Sequence, residues 1–195
     1  MLSHYKKPVE KVLEPLIEPL SKVDPNVLTV LGSIPPLVFF IAIITGNYIL
    51  ALFAFIGNLF DLIDGMVARK YKKVTPFGGF LDSTLDRVGD FLLITPFAFA
   101  GIVGWEIVAP LFLFAFLTSY IRSRGELANP SVSFAVGIIE RTERLGIIFF
   151  SLLLYTSIPN TLIAGYNIME ISLLLLVVLS LYTVLQRVIY AYKKL

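Results

Sequence analysis

The sequence predicts an all-α protein: a bundle of six transmembrane helices preceded by an amphipathic juxtamembrane helix. Three observations carry that prediction. Of 195 residues, 57% are apolar and 15% charged, with a mean hydropathy of +0.84, whereas a soluble domain is about a quarter charged. Apolar runs recur at near-regular spacing, and a spanning helix needs about 20 such residues. The basic residues, finally, lie in the terminal segments, on alternate links and at the span ends beside them.

The first segment, 1–24, reads as an amphipathic element lying on the membrane face. Lys6, Lys7, Lys11 and Lys22 interleave with Val9, Val12, Leu13, Leu16, Ile17 and Leu20. Pro15 and Pro19 interrupt it, because proline removes a helix donor and clashes with the preceding turn. It lacks the continuous apolar core and small-residue cleavage site of a signal peptide. Residues 25–195 form one domain. Asp24 caps the first span and Pro25 opens it, a position where the missing N–H costs nothing. The spans are expected over 26–45, 48–68, 80–103, 106–126, 144–158 and 167–190. The fifth is short, so its helix is expected to run back into Glu140–Glu143.

The chain has 16 Lys and Arg residues. They lie in the N-terminal segment, between spans two and three (Arg69, Lys70, Lys72, Lys73), at Arg87, around the fourth link (Arg122, Arg124, Arg141, Arg144) and near the C-terminus (Arg187, Lys193, Lys194). The links 46–48, 104–106 and 157–170 hold none. With an even number of spans, every positive charge falls on one side. The positive-inside rule makes that side cytoplasmic, with both termini there, in a multi-pass protein of the cell membrane. The absence of cysteine excludes a disulfide scaffold and any thiolate site. No nucleic-acid partner is expected.

Ionised side chains inside a span are costly and mark function. The end of span two and the start of span three carry Asp61, Asp64, Asp82, Asp86 and Asp90. Spacings of three and four place each pair on one helical face. The short link 69–79 makes the two helices antiparallel neighbours, so four carboxylates are expected to converge near the cytoplasmic surface. Clustered carboxylates repel unless compensated, and hard oxygen ligands suit Mg²⁺, Mn²⁺ or Ca²⁺. Two ions would satisfy the cluster and suit phosphoryl transfer. The bland alternative pairs the aspartates with Arg69 and Arg87. Gly65, Ala68, Gly78 and Gly79 let a helix or ligand approach closely.

Taken together, Asp61, Asp64, Gly65, Ala68, Arg69, Gly78, Asp82 and Asp86 fill the eight fixed positions of a 26-residue signature. On those residues the chain resembles the CDP-alcohol phosphotransferase family, whose six-helix core is similar in length. The resemblance implies an integral membrane enzyme of phospholipid biosynthesis that takes a CDP-lipid donor. An acceptor hydroxyl attacks the β-phosphorus, CMP leaves, and a phosphodiester forms. It implies two metal ions, Mg²⁺ or Mn²⁺, held by Asp61, Asp64, Asp82 and Asp86, with Asp86 also the general base. It implies a CDP site lined by Asp61, Gly65, Ala68, Arg69 and Gly78, and a homodimer in the membrane lipid. Asn26 and Thr29, at the start of span one, are a weaker shared feature that would approach the nucleotide phosphates. Asp90 matches no fixed position and is expected to support the site from behind or to pair along the helix face.

The acceptor is read from the fourth link. Arg122, Arg124, Arg141 and Arg144 lie near the membrane face, and the planar fork of arginine suits phosphate. The runs Asp82–Arg87 and Glu140–Arg144 resemble the branch that makes inositol-phosphate lipids. A phosphorylated polyol, L-myo-inositol 1-phosphate, is therefore the expected acceptor, and CDP-diacylglycerol or CDP-archaeol the donor. Glycerol phosphate is the competing acceptor. The competing class is a cation transporter, which would spread acids through the bilayer depth.

Overall fold

The computed structural model describes residues 17–58, 61–158, 162–163 and 165–195, with residues 61 and 62 described in backbone alone. Helix occurs in each of the six expected stretches, and prolines and caps in the sequence set most of the breaks. α1 (Pro25–Gly32) starts at Asp24, whose carboxylate accepts from Asn26 N at 2.8 Å. It ends at Ser33, where Pro35 and Pro36 open α2 (Ile34–Ile44); prolines fit a first turn but would break a helix interior. The second stretch contains α3 (Tyr48–Gly57) and α4 (Asp61–Lys70). The third divides at Thr95 into α5 (Pro76–Ile94) and the short α6 (Pro96–Phe99).

α7 (Trp105–Ala128) and α9 (Ile168–Lys194) are the long helices. α8 (Arg141–Ser157) begins where the sequence places it, with Glu140 and Glu143 forming a reciprocal cap. The link 157–170 carries an unanticipated feature, a two-stranded antiparallel ladder of β1 (Leu162–Ile163) and β2 (Tyr166–Asn167). By length and composition, three helical stretches among the described residues can cross a membrane: 25–44, 105–128 and 168–194. Apolar side chains also face outward, Ile49, Phe53 and Ile56 on α3 and Leu174, Leu175 and Val178 on α9 among them. The protein is thus an all-α membrane protein, with surface built for lipid rather than water.

The main core gathers Phe39, Phe55, Phe97, Leu111, Ile148, Leu152, Leu173 and Leu176 from six helices. Phe39 packs edge-on against Phe55 and Phe97, with centroids 5.5 and 6.0 Å away. A smaller core joins α4 to the N-terminal segment through Ile17, Ile63, Met66 and Val67. Of the expected amphipathic segment, residues 1–16 lie outside the described residues. Its end is a single 3-10 turn, Pro19–Lys22, with Ile17 buried against α4.

The link 129–140 is irregular, yet α9 pins it. Ile138 N donates to Gln186 Oε1 and Ile139 N to Thr183 Oγ1, each at 3.2 Å. Arg187 Nε donates to Val136 O at 2.7 Å. Gly137 sits at φ +137°, and a Cβ there would lie 2.3 Å from Thr183 Cγ2. Only glycine permits both the conformation and the approach. The pinned link delivers Glu140 and Arg141 to the site.

Candidate active site

Two cavities lie along α5. The first, about 270 Å³, lies between α1, α4 and the start of α5. Asn26 and Thr29 face it from α1; Asp64, Gly65, Ala68 and Arg69 from α4; Gly78, Gly79 and Asp82 from α5. Buried Asp64 is fixed by the Thr29 hydroxyl, which donates to its Oδ2. A Cβ on Gly78 would reach Asn26 Oδ1 and Thr75 Oγ1 at 3.1 Å, and one on Gly65 would reach Arg69 Nη1 at 3.1 Å. Side chains at either position would fill the cradle. Lys73 Nζ closes the rear by donating to Ser21 O and Val23 O at 2.9 and 3.1 Å.

The second cavity, about 430 Å³, is polar and lies between α5, α7, α8 and α9. Asp86 and Arg87 face it from α5, Ser119 and Arg122 from α7, Arg141 from α8 and Arg187 from α9. Arg141 Nη1 pairs with Asp86 Oδ1 at 2.5 Å and Arg87 Nη2 with Asp86 Oδ2 at 3.4 Å. Arg87 Nη1 also donates to Ser119 Oγ. Arg122 pairs with Glu126 at 3.0 Å. A crevice lined by Thr29, Asp86, Gly89 and Arg141 lies between the two cavities.

The structure brings Asn26, Thr29, Asp64, Gly65, Ala68, Arg69, Gly78 and Asp82 to one wall. The Asp61 side chain lies outside the described residues. Asp64 and Asp82 line the first cavity, and Asp86 lines both the second cavity and the crevice that reaches Thr29, the partner of Asp64. Among the described residues, no three acidic or histidine side chains stand together as a metal set. Asp64 and Asp82 nevertheless supply hard oxygen donors to one cavity, which suits a divalent cation.

Nor are the four expected arginines gathered in one pocket. Arg122 and Arg141 line the second cavity. Arg124 is exposed and lies outside that lining, and Arg144 is buried behind it against Asp90. Arg87 and Arg187 take their places. Arg187 was legible in principle, since it stands within the apolar run 171–192, where a charge is functional by default.

Residues 22–191 match the family model described as CDP-alcohol phosphatidyltransferase. The archaetidylinositol phosphate synthase of Pyrococcus horikoshii is 36% identical over 198 residues, covering 100% of this chain and 98% of that protein. The Mycobacterium tuberculosis phosphatidylinositol phosphate synthase, solved with CDP-DAG bound, has the same fold. Its TM-score is 0.79 at 23% identity, over 93% of this chain and 94% of that one. The same enzyme solved with manganese and citrate gives 0.77 at 24% identity, over 91% and 88%.

Proposed function

This chain belongs to the CDP-alcohol phosphatidyltransferase family, and we propose that it transfers the phosphatidyl-type group of CDP-diacylglycerol or CDP-archaeol to L-myo-inositol 1-phosphate, releasing CMP. One observation carries the proposal: a crevice lined by Thr29, Asp86 and Arg141 lies between the two cavities, Thr29 also lining the first and Asp86 the second. A transfer between two substrates requires such adjacency, since positioning supplies much of the rate.

The donor occupies the first cavity. Gly65, Ala68 and Gly78 leave room for the cytidine diphosphate, and Asn26, Thr29 and Arg69 meet its phosphates. Asp61, Asp64, Asp82 and Asp86 hold two divalent ions, Mg²⁺ or Mn²⁺. Bound there, the ions neutralise charge on the diphosphate. The solved relative in complex with manganese supports that choice.

The acceptor occupies the second cavity. Arg122, Arg141, Arg87 and Arg187 present a cationic wall suited to its phosphate. Asp86, at the border, takes the proton of the acceptor hydroxyl. The freed oxygen forms a bond to the β-phosphorus, and the bond from that phosphorus to CMP breaks, with CMP keeping the electron pair. The archaetidylinositol phosphate synthase, similar along its whole length, supports inositol phosphate as the acceptor.

All six helical stretches cross the membrane in this reading, with both termini and the site facing the cytoplasm, as the one-sided basic residues support. Residues 1–24 rest on that face beside the 25–195 domain, and the chain works as a homodimer. The test is CMP release by the detergent-purified protein with a CDP-lipid, Mg²⁺ or Mn²⁺ and each acceptor. Inositol 1-phosphate is expected to support release, and EDTA to abolish it. Release with glycerol 3-phosphate but none with inositol 1-phosphate would overturn the acceptor assignment.

A further inference from the structure

Asp90 lines neither cavity. It is 1% exposed on α5, and guanidiniums from two helices surround it. Arg87 Nη1 lies at 3.4 Å, Arg141 Nε at 3.1 Å and Arg144 Nη2 at 3.5 Å. Arg87 and Arg141 also reach Asp86 and line the second cavity. Arg141 thus spans two carboxylates, with Nε on Asp90 and Nη1 on Asp86. Gly89 leaves it room, since a Cβ there would come within 3.3 Å of Arg141 Nη2.

Three cations in one place repel one another, and arginine stems are rich in rotamers. A buried carboxylate between them fixes their separation and their aim. We propose that Asp90 is the positioning residue of the acceptor site, locking Arg141 through the Nε–Oδ1 hydrogen bond in the orientation that faces the second cavity and flanks Asp86, while Oδ2, which accepts no hydrogen bond among the described residues, holds Arg87 and Arg144 by charge alone. The inference rests on the assignment of that cavity to the acceptor. Without Asp90 both arginines keep their charge, but Arg141 loses the bond that aligns it. A phosphate they bind equally in ground and transition states then loses affinity, which raises KM rather than lowering kcat.

Asp90→Asn alone strands Arg144, whose side chain is 1% exposed and whose Nε and Nη1 have no hydrogen-bond partner among the described residues. Stranding a buried charge can prevent folding. The decisive comparison is therefore D90N/R144M against R144M, in which no charge is left buried without its partner. Unmodified protein is assayed first with inositol 1-phosphate and glycerol 3-phosphate, so an error in the proposed function appears there. The variants are then measured with whichever acceptor it uses. D90N/R144M is expected to raise the acceptor KM about tenfold or more over R144M and the donor KM less than about twofold. An acceptor KM equal to that of R144M, or equal rises in both KM values, would overturn the assignment.

Discussion

Replacing Arg187 by methionine is expected to cost ~3 kcal/mol of stability. The side chain is 4% exposed, and its three nitrogens have three different partners. Nε donates to Val136 O at 2.7 Å, Nη1 donates to Thr118 O, and Nη2 lies 3.5 Å from Glu140 Oε1. Methionine keeps the apolar stem and removes the polar contacts. Each charge-assisted bond to a carbonyl contributes ~1.5–3 kcal/mol, and the desolvation that methionine avoids offsets part of the pair. Glu140 adds little, being 43% exposed, because water screens such pairs. Glu140→Gln can still accept at the helix cap and is expected to cost below ~1 kcal/mol. Heat denaturation in detergent, followed by the fluorescence of Trp105, the sole tryptophan, reads both. A loss of ~3 kcal/mol lowers the midpoint by about 6–12 °C for a chain of this size. A fall below about 2 °C for R187M, or an E140Q loss as large, would refute the reasoning.

Asp86→Asn is expected to lower kcat about 10³-fold while CDP-lipid still binds in a direct binding assay; a near-normal rate would remove Asp86 from the base role. Arg141→Ala should raise the acceptor KM about tenfold or more and the donor KM far less, and steady-state kinetics with each substrate varied separates the two. Gly78→Ala should act on the other substrate. Its Cβ presses on Asn26 and Thr75 at 3.1 Å, so the donor KM should rise about fivefold, a loss of ~1 kcal/mol, with the heat-denaturation midpoint nearly unchanged.

Much of the fold is legible because its causes are local. Pro25 and the Glu140–Glu143 run mark helix starts that the structure reproduces. The breaks at Ser33 and Thr95 were equally written, in Pro35, Pro36 and Pro96. A hydropathy window averages over single prolines, so it joins what they divide. The 162–167 ladder left no such mark, since two residues per strand are too few for an alternating pattern to register.

The site divides along the same line. Spacing within one helix says which side chains share a face, and so α4 and α5 could be read as presenting carboxylates together. It does not say which neighbour each turn of that face meets. Asp82 and Asp86 share a face, yet Asp82 lines the cavity under α1 and α4, whereas Asp86 lines the one closed by α7, α8 and α9 and the crevice that leads back to α1. The arginines show the limit more sharply. Arg141 and Arg144 sit three apart on one helix, and spacing treats them alike. Arg141 reaches the cavity because Gly89 opposite leaves it space, whereas Arg144 ends buried on Asp90. The residue that decides between them lies on another helix, some fifty positions earlier in the chain.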